Sequence, residues 1–442
     1  MSDDSADRTP VVTCFLRSDA EVLLVRRSEA VGSYAGRWGG VAGHVEPGPE
    51  EDGDPDRDAI DAARAEIEEE TGLLDACALV RGGDPLVVDP DHGEWLAHPF
   101  LFDCDDRSVE TDEKSVDHEW VAPTEILGRE TVPDLWRSYE RVAPTVETVR
   151  EDREHGAAYL SVRACEVLRD RAARAVSAGD DDWADLVDLA RDLRAARPSM
   201  PAAANRVNRV MAAAEGDPRA VTDRASEVIA DALADDDRAA ERAAAAVGDA
   251  DRVFTLSRSG TVRAVLDRLD LERVYVAESR PGGEGVGVAQ SLAADADVTL
   301  VPDAAVAHAL ATEPVDAAVV GADAVLPDGR VINKVGTRAA ALAAARESVP
   351  VYVVAARDKV RADAEPDLEP LPPGAVYGGD ADLDVLAPTF DVTPAGDPTL
   401  VTEEGPLGPG AVAAVAREAR ERARWDEVGT ADDGASDHGA ER

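Results

Sequence analysis

The sequence is poor in positive charge. Its 442 residues hold 46 Lys and Arg against 91 Asp and Glu, a formal net charge of −45, and three of the cations are lysines. Repulsion among the excess carboxylates destabilises a compact protein in ordinary buffer. Molar salt shortens the Debye length to roughly 3 Å and so screens this repulsion. The charge therefore predicts the cytoplasm of a salt-accumulating cell. It argues against nucleic acid or an anionic membrane as the main partner.

Cysteines and long apolar runs are also scarce. The cysteines are Cys14, Cys77, Cys104 and Cys165, with no CxxC pair. This pattern predicts neither a disulfide scaffold nor a zinc ribbon, and it fits a reducing cytosol. No apolar run reaches the roughly 18 residues that span a bilayer. The acidic start, MSDDSADRTP, lacks the apolar core of a signal peptide, so we expect no membrane association.

The sequence is nevertheless that of a folded protein, with 44% hydrophobic residues and clear periodicity. Length predicts two or three domains. Short β-like runs, with strands predicted over 11–16, 21–26 and 98–102, surround one predicted helix over 58–71. Several Ala-, Arg- and Leu-rich helices follow, and from residue 252 strands alternate with helices. That alternation is typical of an α/β fold with a parallel sheet and crossover helices. The polar, acidic ends, residues 1–9 and 426–442, predict disorder.

The helix predicted over 58–71 would gather three carboxylates. Glu66 and Glu70 are four residues apart and Glu69 is three from Glu66, so all three share one side of the helix. Crowded carboxylates repel one another unless a hard divalent cation such as Mg²⁺ lies among them. A solvated acidic face is the alternative in so acidic a chain. Gly72 would end the helix. The buried stripe of this helix would consist of Ile60, Ala63 and Ile67.

This region closely resembles the Nudix box of Nudix hydrolases. The run WGGVAGHVEPG (38–48), then a helix, then E-x-x-E-E-x-G-apolar (66–73) follows the order of the family's motif. The matching positions are Gly43, Glu46, Gly48, Glu66, Ile67, Glu69, Glu70, Gly72 and Leu73. The segments RSDAEVLLVRRSEAVGSYAGRW (17–38) and DHEWVAPTEI (117–126) resemble the family's flanking strands. The resemblance implies that residues 10–143 form a Nudix α/β/α sandwich.

The resemblance also implies a chemistry. Glu66, Glu69 and Glu70, with the Gly43 carbonyl, would hold Mg²⁺ or Mn²⁺, which would neutralise a diphosphate and lower the pKa of an attacking water. Glu69 or the loop acid Glu113 would accept the proton. The substrate class is a nucleoside diphosphate linked to another group, whose identity the sequence leaves open.

The box departs from the family pattern at two places. An insertion of about six residues around DGDPDRD (52–58) falls in the loop before the helix. Loops tolerate insertions, so the fold can accommodate it. Ala65 stands where the family has an arginine that orients a catalytic glutamate. Either Arg64 or Arg57 orients that glutamate from a different position, or the activity is weaker. His44 and Trp38 are candidates for the pocket lining, and Trp38 is equally a candidate for the core.

Three strand-to-helix turns in the C-terminal half are candidates for phosphate binding. They are TLSRSGT (255–261), ESRPGGEG (278–285) and VGADAV (320–325), the last followed by GRVINKVGT (329–337). Small residues and an arginine before a helix N-terminus favour an anion, although glycine in such a turn often serves geometry alone. Lys334 stands out because lysine is so rare here, and a compact charge on a flexible stem suits a ligand site.

These turns belong to a second resemblance, to the family of the initiation factor 2B regulatory subunits, ribose-1,5-bisphosphate isomerase and methylthioribose-1-phosphate isomerase. It also rests on HGAAYLSVRA (155–164), RPSMPAAANRVNRVM (197–211), PDAAVAHAL (302–310) and PVYVVAARDK (350–359). It implies a helical subdomain over 144–250, a Rossmann-like subdomain over 251–425, and a homo-oligomer formed through this module. The implied ligand-binding residues are Arg197, Ser257, Arg258, Ser259, Arg280, Asp323, Asn333 and Lys334.

The isomerases of that family rely on a cysteine and an aspartate. Asp323 matches the aspartate, but Ser257 stands at the cysteine position, and serine is a far poorer acid or nucleophile near neutral pH. His155 and Glu284 replace an arginine and a glutamine of the isomerases. The changes favour a module that binds a nucleotide or sugar phosphate. Retained isomerase activity and an oligomerisation platform are the alternatives for this half, and a non-catalytic regulator of translation initiation or nucleotide metabolism is the alternative for the whole chain.

Overall fold

A computed structural model describes residues 8–29, 33–45, 55–88, 95–110, 114–180, 182–396 and 398–428. Glu46, Gly48 and Glu113 of the predicted hydrolase site lie outside these ranges. The chain divides into two compact units, unit 1 (residues 1–145 with 169–181) and unit 2 (residues 146–168 with 182–442). Across the described ranges, no helix has the length and apolar character needed to cross a membrane.

Unit 1 is built on a mixed sheet, eight-stranded in its described residues, with the path β3-β2-β1-β7-β5, on which β4 pairs with β1, β6 with β7 and β8 with β2. The strands are β1 (Thr9–Ser18), β2 (Glu21–Arg27), β3 (Trp38–Gly39), β4 (Val41–His44), β5 (Cys77–Gly82), β6 (Leu86–Val88), β7 (Trp95–Cys104) and β8 (Ser115–Val121). The helices are α1 (Pro55–Thr71) and α2 (Leu135–Glu140). The predicted strands lie inside β1, β2 and β7, and Thr9 is in a strand rather than in a disordered end.

Helix α1 covers one face of this sheet and α2 the other. Ala59, Ala63 and Ile67 of α1 are fully or almost fully buried, whereas Ile60 is only half-buried. The buried stripe therefore follows an i, i+4, i+8 spacing and includes Ala59 in place of the predicted Ile60. Gly72 ends the helix as predicted, because its φ of 67° is in the left-handed region that glycine adopts most readily.

Two of the four cysteines are paired, whereas the sequence predicted no pairing pattern and a reducing cytosol. Cys77 of β5 and Cys104 of β7 are directly opposite each other in an antiparallel pair and form a disulfide. They are 27 residues apart in sequence, and only the strand register brings their Cα atoms to 4.1 Å. Cys14 and Cys165 are free and buried.

Unit 2 begins with helices and continues as a doubly wound parallel sheet. Its helices are α3 (Val146–Glu151), α4 (Ala157–Ala178, whose residues from 169 on group with unit 1), α5 (Trp183–Ala196), α6 (Pro201–Ala214), α7 (Pro218–Val247), α8 (Gly260–Leu266), α9 (Glu284–Leu292), α10 (Val306–Thr312), α11 (Thr337–Glu347), α12 (Pro409–Arg422) and α13 (Trp425–Val428). Its strands are β9 (Arg252–Leu256), β10 (Arg273–Ala277), β11 (Asp297–Val301), β12 (Ala317–Gly321), β13 (Ala324–Val325), β14 (Val331–Lys334), β15 (Val351–Val354), β16 (Phe390–Thr393), β17 (Thr399–Thr402) and β18 (Gly405–Pro406).

The main sheet of unit 2 has the order β11-β10-β9-β12-β15-β17-β18 in its described residues, and β13, β14 and β16 form a small second sheet. The main sheet is parallel except for the β17–β18 pair. Phe254 packs on the face covered by α10, α11 and α12, and the preceding Val253 packs on the face covered by α7, α8 and α9. Because both faces are buried, the central strands β9, β10, β12 and β15 consist mostly of apolar residues. The predicted α/β class with a parallel sheet is confirmed.

The chain remains ordered beyond the predicted start of the tail at Asp426. Asp426 lies in α13, and its carboxylate is 2.8 Å from Arg191 Nε and 2.8 Å from Arg194 Nη1. Two ion pairs to α5 fix this residue, which the sequence could not show because the partners are more than 230 positions away. Residues 429–442 of the predicted tail lie outside the described ranges.

Candidate functional site

The three box glutamates of unit 1 gather around one ammonium group. Lys114 Nζ lies 3.1 Å from Glu66 Oε2, 3.8 Å from Glu69 Oε2 and 3.8 Å from Glu70 Oε1. The exposed fraction of the side chain is 16% for Glu66, 66% for Glu69 and 5% for Glu70. One buried, one half-buried and one exposed carboxylate thus face a single cation.

The position of Lys114 is fixed by the sheet. Its carbonyl accepts the N–H of Ser28 at 2.7 Å, and the next residue, Ser115, begins β8 opposite Arg27 of β2. Lys114 was not among the site residues predicted from the sequence. The rarity of lysine, which drew attention to Lys334, was the signal that could have found it.

Gly43 lies directly against the Glu66 carboxylate. Gly43 pairs with Val12 in the β1–β4 ladder, and a Cβ atom on it would fall 1.7 Å from Glu66 Oε1. The glycine is therefore required by the close approach of this side chain to the β4 backbone. The structure brings together all four predicted residues of the hydrolase site that it describes.

The negative charges of these glutamates act on a buried residue in the core of unit 1, Cys14. Burial raises the pKa of the Cys14 thiol, and the charges on Glu70 and Glu66 raise it further. A cation among the carboxylates relieves this repulsion, and carboxylate oxygens are the ligands that Mg²⁺ prefers. Among the described residues no three Asp, Glu, His or Cys side chains already stand in metal-binding geometry. The donor chemistry fits a hard divalent ion, while the side-chain positions fit the ammonium.

The arginine alternatives for Ala65 face solvent. Arg64 lies 4.0 Å from Asp61, with both side chains more than half exposed, and Arg57 is exposed. Arg64 therefore points away from the glutamates, as its position one residue from Ala65 on the helix requires.

The two candidates for the pocket lining differ. Trp38 is half-buried against the apolar cluster on the α2 side of the sheet, opposite the face that α1 covers, and Arg129 lies over its ring at 4.9 Å. His44 is exposed and meets the ring of Trp95 edge-on at 5.7 Å. Trp38 is thus a core residue.

In unit 2 the three predicted turns meet at the carboxyl ends of β9, β10 and β12. The Ser257 N–H donates to Ser279 Oγ at 2.7 Å, which joins the first turn to the second. Lys334 Nζ lies 2.7 Å from Glu284 Oε1, which joins the second to the third. Ser259 packs against Gly321, where a Cβ would lie 3.1 Å from Ser259 Oγ. This edge of an open α/β sheet is where ligands ordinarily bind.

The backbone is strained at one serine in each of the first two turns. Ser257 has a φ of 62° and Ser279 of the second turn has a φ of 65°, in the left-handed region that non-glycine residues seldom adopt. Such strain collects at functional sites. Ser259 caps α8 by accepting the Val262 N–H at 3.3 Å, and the Arg258 guanidinium donates to the carbonyl of Glu154.

The second turn already holds an internal anion. The backbone N–H groups of Ser279 and Arg280 donate to the two carboxylate oxygens of Asp303, at 2.8 and 2.7 Å. The Arg280 guanidinium donates to Glu278 at 2.6 Å. These amides, which the sequence analysis expected to face phosphate, are therefore occupied by a side chain 24 residues away.

Asp323 lies among buried cations. The pKa of Asp323 is raised to about 6. Burial is the main cause and the charge on Glu369 adds to it, while Lys359, Arg197 and Lys334 act in the opposite direction. Lys359 is 4% exposed, and burial lowers the pKa of its ammonium. Lys359 and Glu369 are site residues that the sequence analysis did not identify.

The remaining predicted residues are held by hydrogen bonds. Arg197 contacts the Glu369 carboxylate through two nitrogens at 3.4 Å each and donates to the Asp152 carbonyl at 2.5 Å. The Asn333 amide donates to Thr337 Oγ1 at 2.9 Å. His155 Nδ1 lies 2.8 Å from Asp152. Burial of Asp152 raises its pKa, but the hydrogen bonds from His155 outweigh this effect and hold the pKa at about 2.

The fold and site of unit 2 define a class: α/β proteins in which a helical segment precedes a parallel sheet and three polar turns meet at its carboxyl edge. The profile of the Initiation factor 2 subunit family matches residues 153–409, and the chain belongs to this family. The profile of the NUDIX domain matches residues 7–143. Both resemblances predicted from the sequence are confirmed.

Several curated proteins are similar to part of the chain. A methylthioribose-1-phosphate isomerase of Nematostella vectensis is 36% identical over 163 residues, which cover 34% of this chain and 47% of that protein. A probable bifunctional methylthioribose-1-phosphate isomerase/methylthioribulose-1-phosphate dehydratase of Nocardia farcinica is 38% identical over 167 residues, 35% of this chain and 30% of that protein. The chain spans about half the length, or less, of the curated relatives it matches.

Solved structures agree in fold. The translation initiation factor eIF-2B of Pyrococcus horikoshii OT3 matches with a TM-score of 0.53 and 24% identity, over 61% of this chain and 98% of that one. The 5-methylthioribose 1-phosphate isomerase of the same organism matches with a TM-score of 0.50 and 21% identity, over 69% of this chain and 89% of that one.

Proposed function

We propose that the protein is a metal-dependent hydrolase of a nucleoside diphosphate-linked compound, fused to a module that binds a nucleotide or sugar phosphate. Residues 10–143 would form the hydrolase domain, and 144–250 and 251–425 the helical and Rossmann-like parts of the module. One observation supports the hydrolase: Glu66, Glu69 and Glu70 surround the Lys114 ammonium. Gly43 lies directly against the Glu66 carboxylate.

The residues present suit the proposed chemistry. Glu66, Glu69 and Glu70, with the Gly43 carbonyl, would hold Mg²⁺ or Mn²⁺, an ion that would neutralise a diphosphate and acidify a bound water. Glu69 is the most exposed of the three carboxylates, so it is the one placed to accept a proton from a water on the solvent side. Glu66 and Glu70 are more buried and are held by packing, which keeps their oxygens in fixed positions.

The test is hydrolysis of a panel of nucleoside diphosphate derivatives with Mg²⁺ in molar KCl. The wild type should turn over at least one compound, and the double variant Glu69→Gln/Glu70→Gln should not. Glu68→Gln is the matched control, because Glu68 is an exposed acid on the same helix and is not one of the three carboxylates that face Lys114; it should retain activity. Equal turnover by the wild type and the double variant on every compound would refute the hydrolase.

The surroundings of Asp323 support a second role, ligand binding by unit 2. An aspartate with a pKa of about 6, beside Lys359, Arg197 and Lys334, can exchange a proton near neutral pH next to groups that attract phosphate. Relatives of the chain include proteins named as methylthioribose-1-phosphate isomerases. Ser257 at the cysteine position argues for binding without isomerisation.

Ligand binding and isomerisation can be tested separately. Calorimetry with ribose 1,5-bisphosphate, methylthioribose 1-phosphate and nucleotides should show binding that Asp323→Asn and Arg197→Met weaken. Incubation with either sugar phosphate should then give no ketose product; a ketose would establish the isomerase instead. If no compound binds and a protein partner is captured in high salt, the non-catalytic regulator replaces this proposal.

We also propose a cellular location and an oligomeric state for the protein. The net charge of −45 suits the cytoplasm of a salt-accumulating cell, and we propose a homo-oligomer assembled through the C-terminal module. Light scattering on the full chain in molar KCl would measure the mass; a monomer at all concentrations would remove the oligomer.

A further inference from the structure

Lys114 occupies the space that a cation bound by the box glutamates would need. Its Nζ is 3.1 to 3.8 Å from three carboxylates, whereas Mg²⁺ takes oxygen ligands at about 2.0–2.1 Å. An ammonium and a divalent ion cannot both lie between the same oxygens. One of them has to leave when the other binds.

We propose that Lys114 is a built-in competitor of the metal: it holds the box glutamates together in the metal-free protein and has to withdraw before the ion binds. The inference rests on the proposed hydrolase function. It makes Lys114 a positioning residue that sets the metal concentration at which the site fills.

Packing decides which partner can move. The Glu70 side chain is 5% exposed and that of Glu66 is 16% exposed, and Glu66 lies directly against the Gly43 backbone. The Lys114 side chain is 43% exposed, and its four-carbon stem is flexible. Its backbone stays fixed by Ser28, so the ammonium alone would swing toward solvent and could return when the metal leaves.

Electrostatics supports the same assignment. Three carboxylates crowded on one helix face would repel one another without a cation, and a single ammonium compensates one of their three charges. A divalent ion compensates two, so it should displace the lysine once its concentration is high enough. Removing the ammonium should strengthen metal binding and weaken the metal-free fold.

The test is Mn²⁺ binding by the full-length protein, followed by the electron paramagnetic resonance signal of free Mn²⁺ at constant KCl. Lys114→Met should bind Mn²⁺ about fivefold more tightly than the wild type, because one competing ion pair is lost. Arg64→Met removes the same charge from an exposed side chain of α1, the helix that carries the glutamates, and should leave the affinity within about twofold. Without metal, Lys114→Met should melt at a lower temperature than the wild type, and saturating Mn²⁺ should abolish that difference.

The outcomes separate the two hypotheses. Equal Mn²⁺ affinity of the wild type and Lys114→Met, or an equal gain in Arg64→Met, would overturn the competition and leave the hydrolase standing. If neither the wild type nor Lys114→Met binds Mn²⁺, the metal-dependent hydrolase fails, and this inference fails with it.

Discussion

Replacing Gly43 by alanine tests the geometry of the hydrolase site with a single methyl group. The new Cβ would fall 1.7 Å from Oε1, 2.0 Å from Cδ and 2.5 Å from Cγ of Glu66. Ordinary contact begins at 3.4 Å, so the carboxylate would have to withdraw by roughly 1.7 Å. The φ of Gly43 is outside the left-handed region, so the backbone itself accepts alanine without strain.

This displacement should reduce activity without unfolding the protein. A shift of about 1 Å in a catalytic group costs roughly a hundredfold in rate, so we expect kcat to fall about a hundredfold or more. The contact between Lys114 and Glu66 would be lost as well. Glycine to alanine in a compatible backbone otherwise changes stability by less than about 1 kcal/mol, so the unfolding free energy should stay within that range.

The assay compares Gly43→Ala with Gly39→Ala. A Cβ at Gly39 would lie 3.6 Å from Val132, an ordinary contact, in the same sheet. Hydrolysis in molar KCl, Mn²⁺ affinity and urea unfolding are measured for both variants. Full activity and unchanged Mn²⁺ affinity in Gly43→Ala would show that the Glu66 carboxylate does not act from this position.

Three further predictions concern stability. The folded state raises the pKa of Asp323 from 3.8 to about 6, so ionisation of this group destabilises the fold as pH rises through that interval. Between pH 4 and 7 the unfolding free energy of Asp323→Asn, measured in urea, should rise by about 2–3 kcal/mol relative to that of the wild type. A difference that does not change with pH would contradict this. Reduction of the Cys77–Cys104 disulfide, or Cys77→Ser, should cost roughly 3–4 kcal/mol for a sequence separation of 27, and an unchanged melting temperature in reductant would count against the bond. Asp426→Asn breaks both ion pairs of α13 and should cost about 0.5–1 kcal/mol in dilute buffer; the loss should disappear in molar KCl, and persistence there would mean that the contacts are not mainly ionic.

The local patterns of the sequence were enough to predict the architecture. Apolar periodicity placed the helix that became α1, and alternation of strand and helix predicted the parallel sheet of unit 2. Errors arose where partners are distant in sequence. The stripe on α1 includes Ala59 because the packing of the helix against the sheet, which no local pattern shows, decides which side is buried.

The same limit applies to the sites. Glu66, Glu69 and Glu70 were found because they lie on one helix, but Lys114 is 48 positions from Glu66. The amides of the second turn were expected to be free, yet Asp303 reaches them from another loop. Contacts of this kind depend on the register of strands and the path of loops, which the spacing of residues along the chain does not encode.

The uneven exposure of the three lysines offers a chemical handle. Lys334 and Lys359 are 5% and 4% exposed, whereas the Lys114 side chain is 43% exposed. Among the ε-amines of this chain, a mild acylating reagent would therefore react first with the one beside the box glutamates. A fluorophore attached there would be a spectroscopic reporter beside these carboxylates, introduced without any engineered cysteine.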